Sequence, residues 1–366
     1  MGVSTGNITS ARAEGTSPDQ CCRCSGNPSA IIVSGEAPHF KTNDEILRDL
    51  ADEGFVDADT DGSRYILERV SYQHLRPYLN VTMRMSPDWG HSVKTAHDAL
   101  TFDRDFKASI LKHIGVFEGQ MRARYGHLIA EAHGPFPIYD EGVFLNADNH
   151  AKTLDSFCEE VSRRATRERG LAEELRSNGG RLPIWRAVEC MTLGTLCHFY
   201  ANTRDNSVTG AVAESFGASK SELVNWSKTI TQVRNICAHF EPYIIRREIP
   251  STPMRIRGCE CPRRTPLFIV VLLAKLLGAH TAEPRNRGLD YGLRVRLDSR
   301  AIIGDFESFF GGAIPIPGFP LNWRTLLSVS RSETDLVDWR TGGFNSYQRM
   351  HGKLVFGQGS AQHQRP

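Results

Sequence analysis

The chain has 366 residues, 40% of them hydrophobic and 23% charged, enough apolar material for one large or two modest buried cores. Its formal net charge of +2 excludes a global pull toward nucleic acid, so an RNA-binding surface has to come from local clustering of Lys and Arg. Nine scattered cysteines without a secretory signal argue for reduced thiols in the cytoplasm, and the longest apolar run, Leu267 to Ala279, contains Lys275 and is far shorter than the ~20 residues of a membrane span.

Residues 1–39 are rich in Ser, Gly, Pro, Ala and Thr without apolar periodicity, and a flexible leader is expected there. Its Cys21-Cys22-Arg23-Cys24 cluster lacks the further ligands of a four-coordinate metal site. Thr42-Asn43-Asp44-Glu45 fits a capping box ahead of Ile46, Leu47 and Leu50, with Gly54 as the stop. Asp57 to Gly62 is acidic like a calcium loop but has no bidentate Glu at the needed distance, so it reads as a polar turn. A helical pattern covers Ser63 to Val70, and Tyr72, Leu75, Tyr78 and Leu79 form an aromatic-aliphatic segment suited to core packing.

From about Lys94 to Ala130, Phe102, Phe106, Ile110, Ile114, Phe117, Met121, Tyr125 and Leu128 recur three or four apart, the stripe of a long buried-face helix. Glu118 and Arg122 lie four apart on it and read as a solvated helix bridge. A loop is expected from His133 to Ala147, then one charged helix from Ala151 to Ser177, whose Arg163, Arg164, Arg167 and Arg169 alternate with glutamates on a solvent face. Pro183 starts the next helix, with Trp185, Val188, Leu193, Leu196 and Phe199 turned inward. Asn202 to Thr209 reads as a turn and Val212 to Phe216 as a short helix.

Ser221 to Pro242 is the stretch with the most chemistry. At about 100° per residue, Leu223, Trp226, Ile230, Val233, Cys237 and Phe240 make one apolar stripe, while Lys228, Thr231, Asn235 and His239 share the far side. Arg234 stands on the flank, turned ~140° from His239 on an ideal helix, so the two need not meet within one chain. Downstream, Arg255, Arg257, Arg263 and Arg264 form the densest basic cluster, suited to a phosphate backbone, with Cys259 and Cys261 too few for a metal site. A buried core helix from Leu267, a polar linker, a helix around Ser299 to Phe310, a Gly/Pro stretch and a polar tail complete the chain. No strand alternation and no repeat stand out, so the fold is expected to be all-α.

The hexad Arg234-Asn235-Ile236-Cys237-Ala238-His239 resembles the HEPN ribonuclease motif. Leu182 to Glu189 with Leu193-Gly194-Thr195-Leu196 and Phe199-Tyr200, Val70 to Tyr78, Phe102-Asp103-Arg104 with Glu118 and Arg122, and Gly318 to Trp323 resemble segments of the Abi-like (abortive-infection) family of bacterial phage-resistance proteins. The resemblance spans roughly Phe40 to Leu327. Two positions depart from it: Phe240-Glu241-Pro242 stands where many relatives have a second His and an Arg, and Pro77 matches a Gly.

The resemblance implies a HEPN-like helical bundle over residues 40–327 with flexible ends at 1–39 and 328–366. It also implies a homodimer whose two motif helices face each other, so that two Arg and two His line one groove that Glu118 and Arg122 border. The implied activity is metal-independent cleavage of RNA by 2′-OH attack, without a cofactor and away from the membrane, in antiphage defence or as a toxin. Such cleavage needs a base, an acid and positive charge on the phosphoryl group. Arg234 offers a fork for phosphate oxygens, and His239 exchanges protons near neutral pH. Pro242 ends the helix just beyond His239, where the carbonyl terminus favours an acid role, and Asn235 would hold the imidazole or the phosphate. Arg255, Arg257, Arg263 and Arg264 are the expected RNA-backbone contacts. The rival reading is a non-catalytic module whose polar face binds a small noncoding RNA or an antitoxin partner.

Overall fold

The computed structural model describes residues 39–84, 91–252, 254, 264–279, 291–312, 314, 316 and 319–328. Among them every regular element is a helix, apart from an isolated bridge between Phe144 and Thr203. In chain order the helices are α1 (Asn43–Asp52), α2 (Asp61–Leu67), α3 (Tyr72–Thr82), α4 (Val93–His133), α5 (Ala147–Ala165), α6 (Arg169–Ser177), α7 (Ile184–Cys190), α8 (Leu193–Asn202), α9 (Asn206–Glu214), α10 (Lys220–Ala238), α11 (Phe268–Leu277), α12 (Tyr291–Phe309) and α13 (Trp323–Leu326). The all-α expectation holds, and all of these helices fall in one unit, Asn43–Pro366. No described helix is long and apolar enough to cross a membrane.

Helix α4 is the spine. Its 41 residues extend ~60 Å, long enough to touch α2, α3, α7, α8, α9, α10, α11 and α12 in turn. The apolar stripe from Phe102 to Tyr125 is buried, joined by Ile129, while Leu128 is only half-buried. Its N-terminus is closed by two oxygen-bearing side chains. Ser92 Oγ accepts the Thr95 N–H at 3.1 Å, and the Asp57 carboxylate accepts the Val93 and Lys94 N–H groups at 2.7 and 3.0 Å. Four N–H groups at a helix start lack internal partners, so this acidic turn satisfies two of them and places negative charge where the helix dipole favours it.

Helix α11 is buried nearly all round, as a core helix should be, with Lys275 alone half-exposed and its ammonium 5.5 Å from the Trp226 ring. It crosses α12 without side chains between them. An ideal Cβ on Gly292 would sit 2.6 Å from the Ala274 carbonyl oxygen and 2.7 Å from the Gly278 Cα, so only glycine permits that approach.

Several boundaries differ from expectation. The charged stretch splits into α5 and α6 because Glu168 leaves the helical region (φ −107°, ψ 93°). Its arginines do form a mixed-charge face: Arg163 pairs with Glu160, Arg164 with Glu168 and Arg169 with Glu173. The helix expected after Pro183 breaks at Met191 (ψ 145°), and Thr192 caps a fresh start for α8. Trp185, expected to point inward, is 58% exposed on α7. Asn202 to Thr209 is not all turn, because the Asp205 carboxylate accepts the Ser207 and Val208 N–H groups and α9 starts at Asn206. Helix α12 begins at Tyr291, well before Ser299.

Candidate functional site

Helix α10 starts in a complete capping box: Ser219 Oγ takes the Glu222 N–H, and Glu222 takes the Ser219 N–H at 2.9 Å. These hydrogen bonds from the Ser219 backbone and hydroxyl hold the Glu222 carboxyl below its ordinary range. Leu223, Trp226, Ile230, Val233 and Cys237 are buried as the 3.6 period requires. Burial, with the Asp103 charge adding to it, pushes the Cys237 thiol up to about 12, so the cysteine inside the hexad packs as an apolar side chain and is no nucleophile.

The C-terminal end of α10 turns sharply. His239 is the C-cap residue (φ −89°, ψ 7°), its N–H donating to the Asn235 carbonyl at 2.9 Å. The Phe240 N–H then reaches the Cys237 carbonyl at 3.2 Å and the Glu241 N–H the Ile236 carbonyl at 3.1 Å. This paired closure puts Phe240 in the left-handed region at φ 58°, a place that usually takes glycine. For an L side chain the conformation costs about 1–2 kcal/mol. Phe240 was expected on the buried stripe; the helix ends before it, and the residue is 68% exposed.

Asp103 holds this end in place. The carboxylate is fully buried on α4, ion-paired with Lys107 at 2.9 Å, and it accepts the Tyr78 hydroxyl at 2.5 Å. It also accepts the N–H groups of Tyr243 at 3.2 Å and Ile244 at 2.8 Å, and Lys107 Nζ donates to the Glu241 carbonyl at 3.0 Å. Burial, reinforced by the Asp103 charge, raises the Tyr78 phenol well above its ordinary value, so it stays a donor. Sequence reasoning quoted Asp103 without giving it this role. The signal was an Asp four residues before a Lys, both inside the apolar arc of α4.

The outer face of α10 carries the polar residues. Lys228, Arg234, Asn235 and His239 are all exposed, and Arg234 Nη1 donates to Asn235 Oδ1 at 3.4 Å. Thr231 is half-buried beside Gly194 of α8. About 16 Å along the axis from His239, Lys228 lines an open groove of about 560 Å³ with Lys152 and Asn149 of α5 and His198 and Thr195 of α8. The lining of this groove contains no carboxylate. A second cavity of about 240 Å³ opens beside Phe240 and Pro242, against α3 and α4.

The remaining sequence candidates lie apart from these. Arg122 is not a solvated bridge: it pairs with Glu118, both side chains largely buried, and donates to the Val188 carbonyl and, at 2.7 Å, to the Met191 carbonyl. The pair therefore clamps the carbonyls freed where α7 ends, and its hydrogen bonds go to that helix end rather than to α10. Arg264 is exposed at φ 58°. Arg255, Arg257 and Arg263, and the Cys21–Cys24 and Cys259–Cys261 clusters, lie outside the described residues.

The family model described as Abi-like protein matches residues 65–243, just under half of the chain and a narrower span than the resemblance traced from sequence segments. No curated protein and no solved structure matches. The matched segment runs from within α2 through the hexad to Tyr243, and so takes in Asp103, Lys107, Tyr78 and the whole end of α10 that they anchor. Over this segment the chain is similar to the Abi-like protein family.

Proposed function

We propose that this Abi-like protein is a metal-independent endoribonuclease of HEPN type, acting in abortive infection or as a toxin, whose groove forms between the α10 helices of two copies. One observation carries the reading. Arg234, Asn235 and His239 stand exposed at a helix end that a buried ionic network holds in one conformation, instead of being consumed by contacts within the chain. A helix-surface arginine in an ordinary ion pair would have a carboxylate beside it; the neighbour that Arg234 engages is an amide.

In this mechanism one His239 takes the 2′-OH proton and that of the second copy protonates the departing 5′-oxygen. Arg234 holds the non-bridging oxygens, with Asn235 orienting its fork. Lys228 and Lys152 in the carboxylate-free groove continue the positive surface for the rest of the strand.

Purified protein is tested for RNA cleavage in EDTA, beside Arg234→Ala and His239→Asn. The reading requires 2′,3′-cyclic phosphate and 5′-hydroxyl ends from the wild type alone, a dimer in solution, and growth inhibition lost in step with cleavage. A wild type that cuts nothing once any bound inhibitor is removed, with His239→Asn equally toxic, would leave the interaction-module reading in its place.

A further inference from the structure

Phe240 combines three features, and the turn that the chain makes beyond His239 does not itself require an aromatic residue there. It is a large aromatic in a left-handed conformation, the residue is two-thirds exposed, and it follows His239 directly. Glycine at this position would close α10 with the same two hydrogen bonds and without strain. Burial does little to offset the strain, because the residue is largely exposed. Backbone strain that packing does not explain is a mark of functional sites.

The cavity beside it has room for one small ring. Its apolar walls are Val70, Pro77, Leu100, Pro242 and the Phe240 ring, and Gln73, His74 and Arg104 stand among its polar lining. At about 240 Å³ it is smaller than the ~300–1,000 Å³ of sites that enclose whole drug-sized ligands. Both basic groups of its lining are ion-paired: Lys107 with the buried Asp103, and Arg104, 60% exposed at the rim, with Asp105 through a single 3.2 Å contact at the surface. An aromatic side chain and an apolar slot beside the exposed Arg104 guanidinium suit an uncharged ring carried on an anionic chain, and nucleobases stack on aromatic faces whatever their identity.

We propose that Phe240 and the cavity between α3, α4 and Pro242 form a stacking subsite for one unpaired nucleobase of RNA, adjacent to the phosphate presented to His239. The inference rests on the ribonuclease reading and adds to it a requirement for single-stranded substrate and a fixed position of one base.

The test separates packing from stacking, because glycine relieves the backbone while removing the ring. In a His239→Asn background, which prevents turnover, Phe240→Gly and Phe240→Trp are compared for thermal unfolding and for affinity to a single-stranded RNA oligonucleotide. A matching oligonucleotide with one abasic position near the cleavage point serves as the second probe. The expected result is a Tm equal to or above the parent for Phe240→Gly with RNA affinity about 5- to 100-fold weaker, and near-parental affinity for Phe240→Trp. The abasic probe should lose affinity on the parent and lose no more on Phe240→Gly. A lower Tm for Phe240→Gly with unchanged affinity assigns the ring to packing and overturns the subsite. Unchanged affinity in a protein whose wild type cleaves RNA overturns the subsite alone, whereas a wild type that binds no RNA removes the ribonuclease reading and the subsite together.

Discussion

The carboxylate of Asp103 accepts the backbone N–H of Ile244 at 2.8 Å, joining the N-terminal third of α4 to the chain just past the hexad, 141 residues later. The end of α10 is therefore positioned by a buried charge rather than by its own helix. Removing one partner of a buried, hydrogen-bonded pair strands the other, so Asp103→Ala should cost about 3–5 kcal/mol in denaturant unfolding. Replacing Lys107 by Met in the same chain should recover part of that loss, because no uncompensated ammonium remains. A double variant no more stable than Asp103→Ala would show that the lost N–H acceptors, not the stranded charge, dominate the cost.

The glycines of α12 should respond in opposite directions. A methyl at Gly292 meets the Ala274 carbonyl oxygen and the Gly278 backbone below 3 Å, so Gly292→Ala should destabilise by about 1–3 kcal/mol through forced separation of α11 and α12. At Gly304, inside the same helix, a methyl meets nothing within 4 Å, and Gly304→Ala should stabilise by about 0.4–1 kcal/mol. Equal effects of the two changes on Tm would contradict the close crossing.

If the groove beside Lys228 carries RNA phosphates, neutralising Lys152 and Lys228 together should flatten the salt dependence of binding. On a single strand each lost phosphate contact lowers the slope of log affinity against log salt by about 0.7. The double Lys→Gln variant should therefore lose about 1.4 units of slope while keeping its fold. An unchanged slope would move the backbone track elsewhere, with Arg264 the next residue to neutralise.

The capping box of α10 makes a pH prediction. Glu222 has its carboxyl lowered on folding, so its contribution is fully present above the unfolded value, ordinarily 4.5, and is lost as pH falls through the lower folded value. Glu222→Gln should destabilise the protein by about 0.3–1 kcal/mol at pH 7, in a range limited by solvent screening. The gap between wild type and variant should narrow below pH ~4.5 and close in stronger acid. A gap that stays constant from pH 7 to pH 3 would show that the carboxylate charge plays no part.

The sequence by itself determined the all-α fold, the long buried face of α4, the core character of α11 and the inward residues of α10 from Leu223 to Cys237, because helical periodicity is a local property that three or four neighbouring residues express. It also placed Lys228, Asn235 and His239 on one exposed face for the same reason. Only the tertiary structure decided what the polar residues inside that periodicity do. Arg122 read as a helix-surface residue, Asp57 as a turn residue, and Asp103 had no role of its own, yet each satisfies backbone groups from a segment 35 or more residues away, and a buried charge is stable only where such remote donors or carbonyls converge on it. The same holds at Phe240. Periodicity extended the apolar stripe through it, but the chain pinned by Asp103 and Lys107 has to leave α10 at His239, and that turn swings the ring out into solvent.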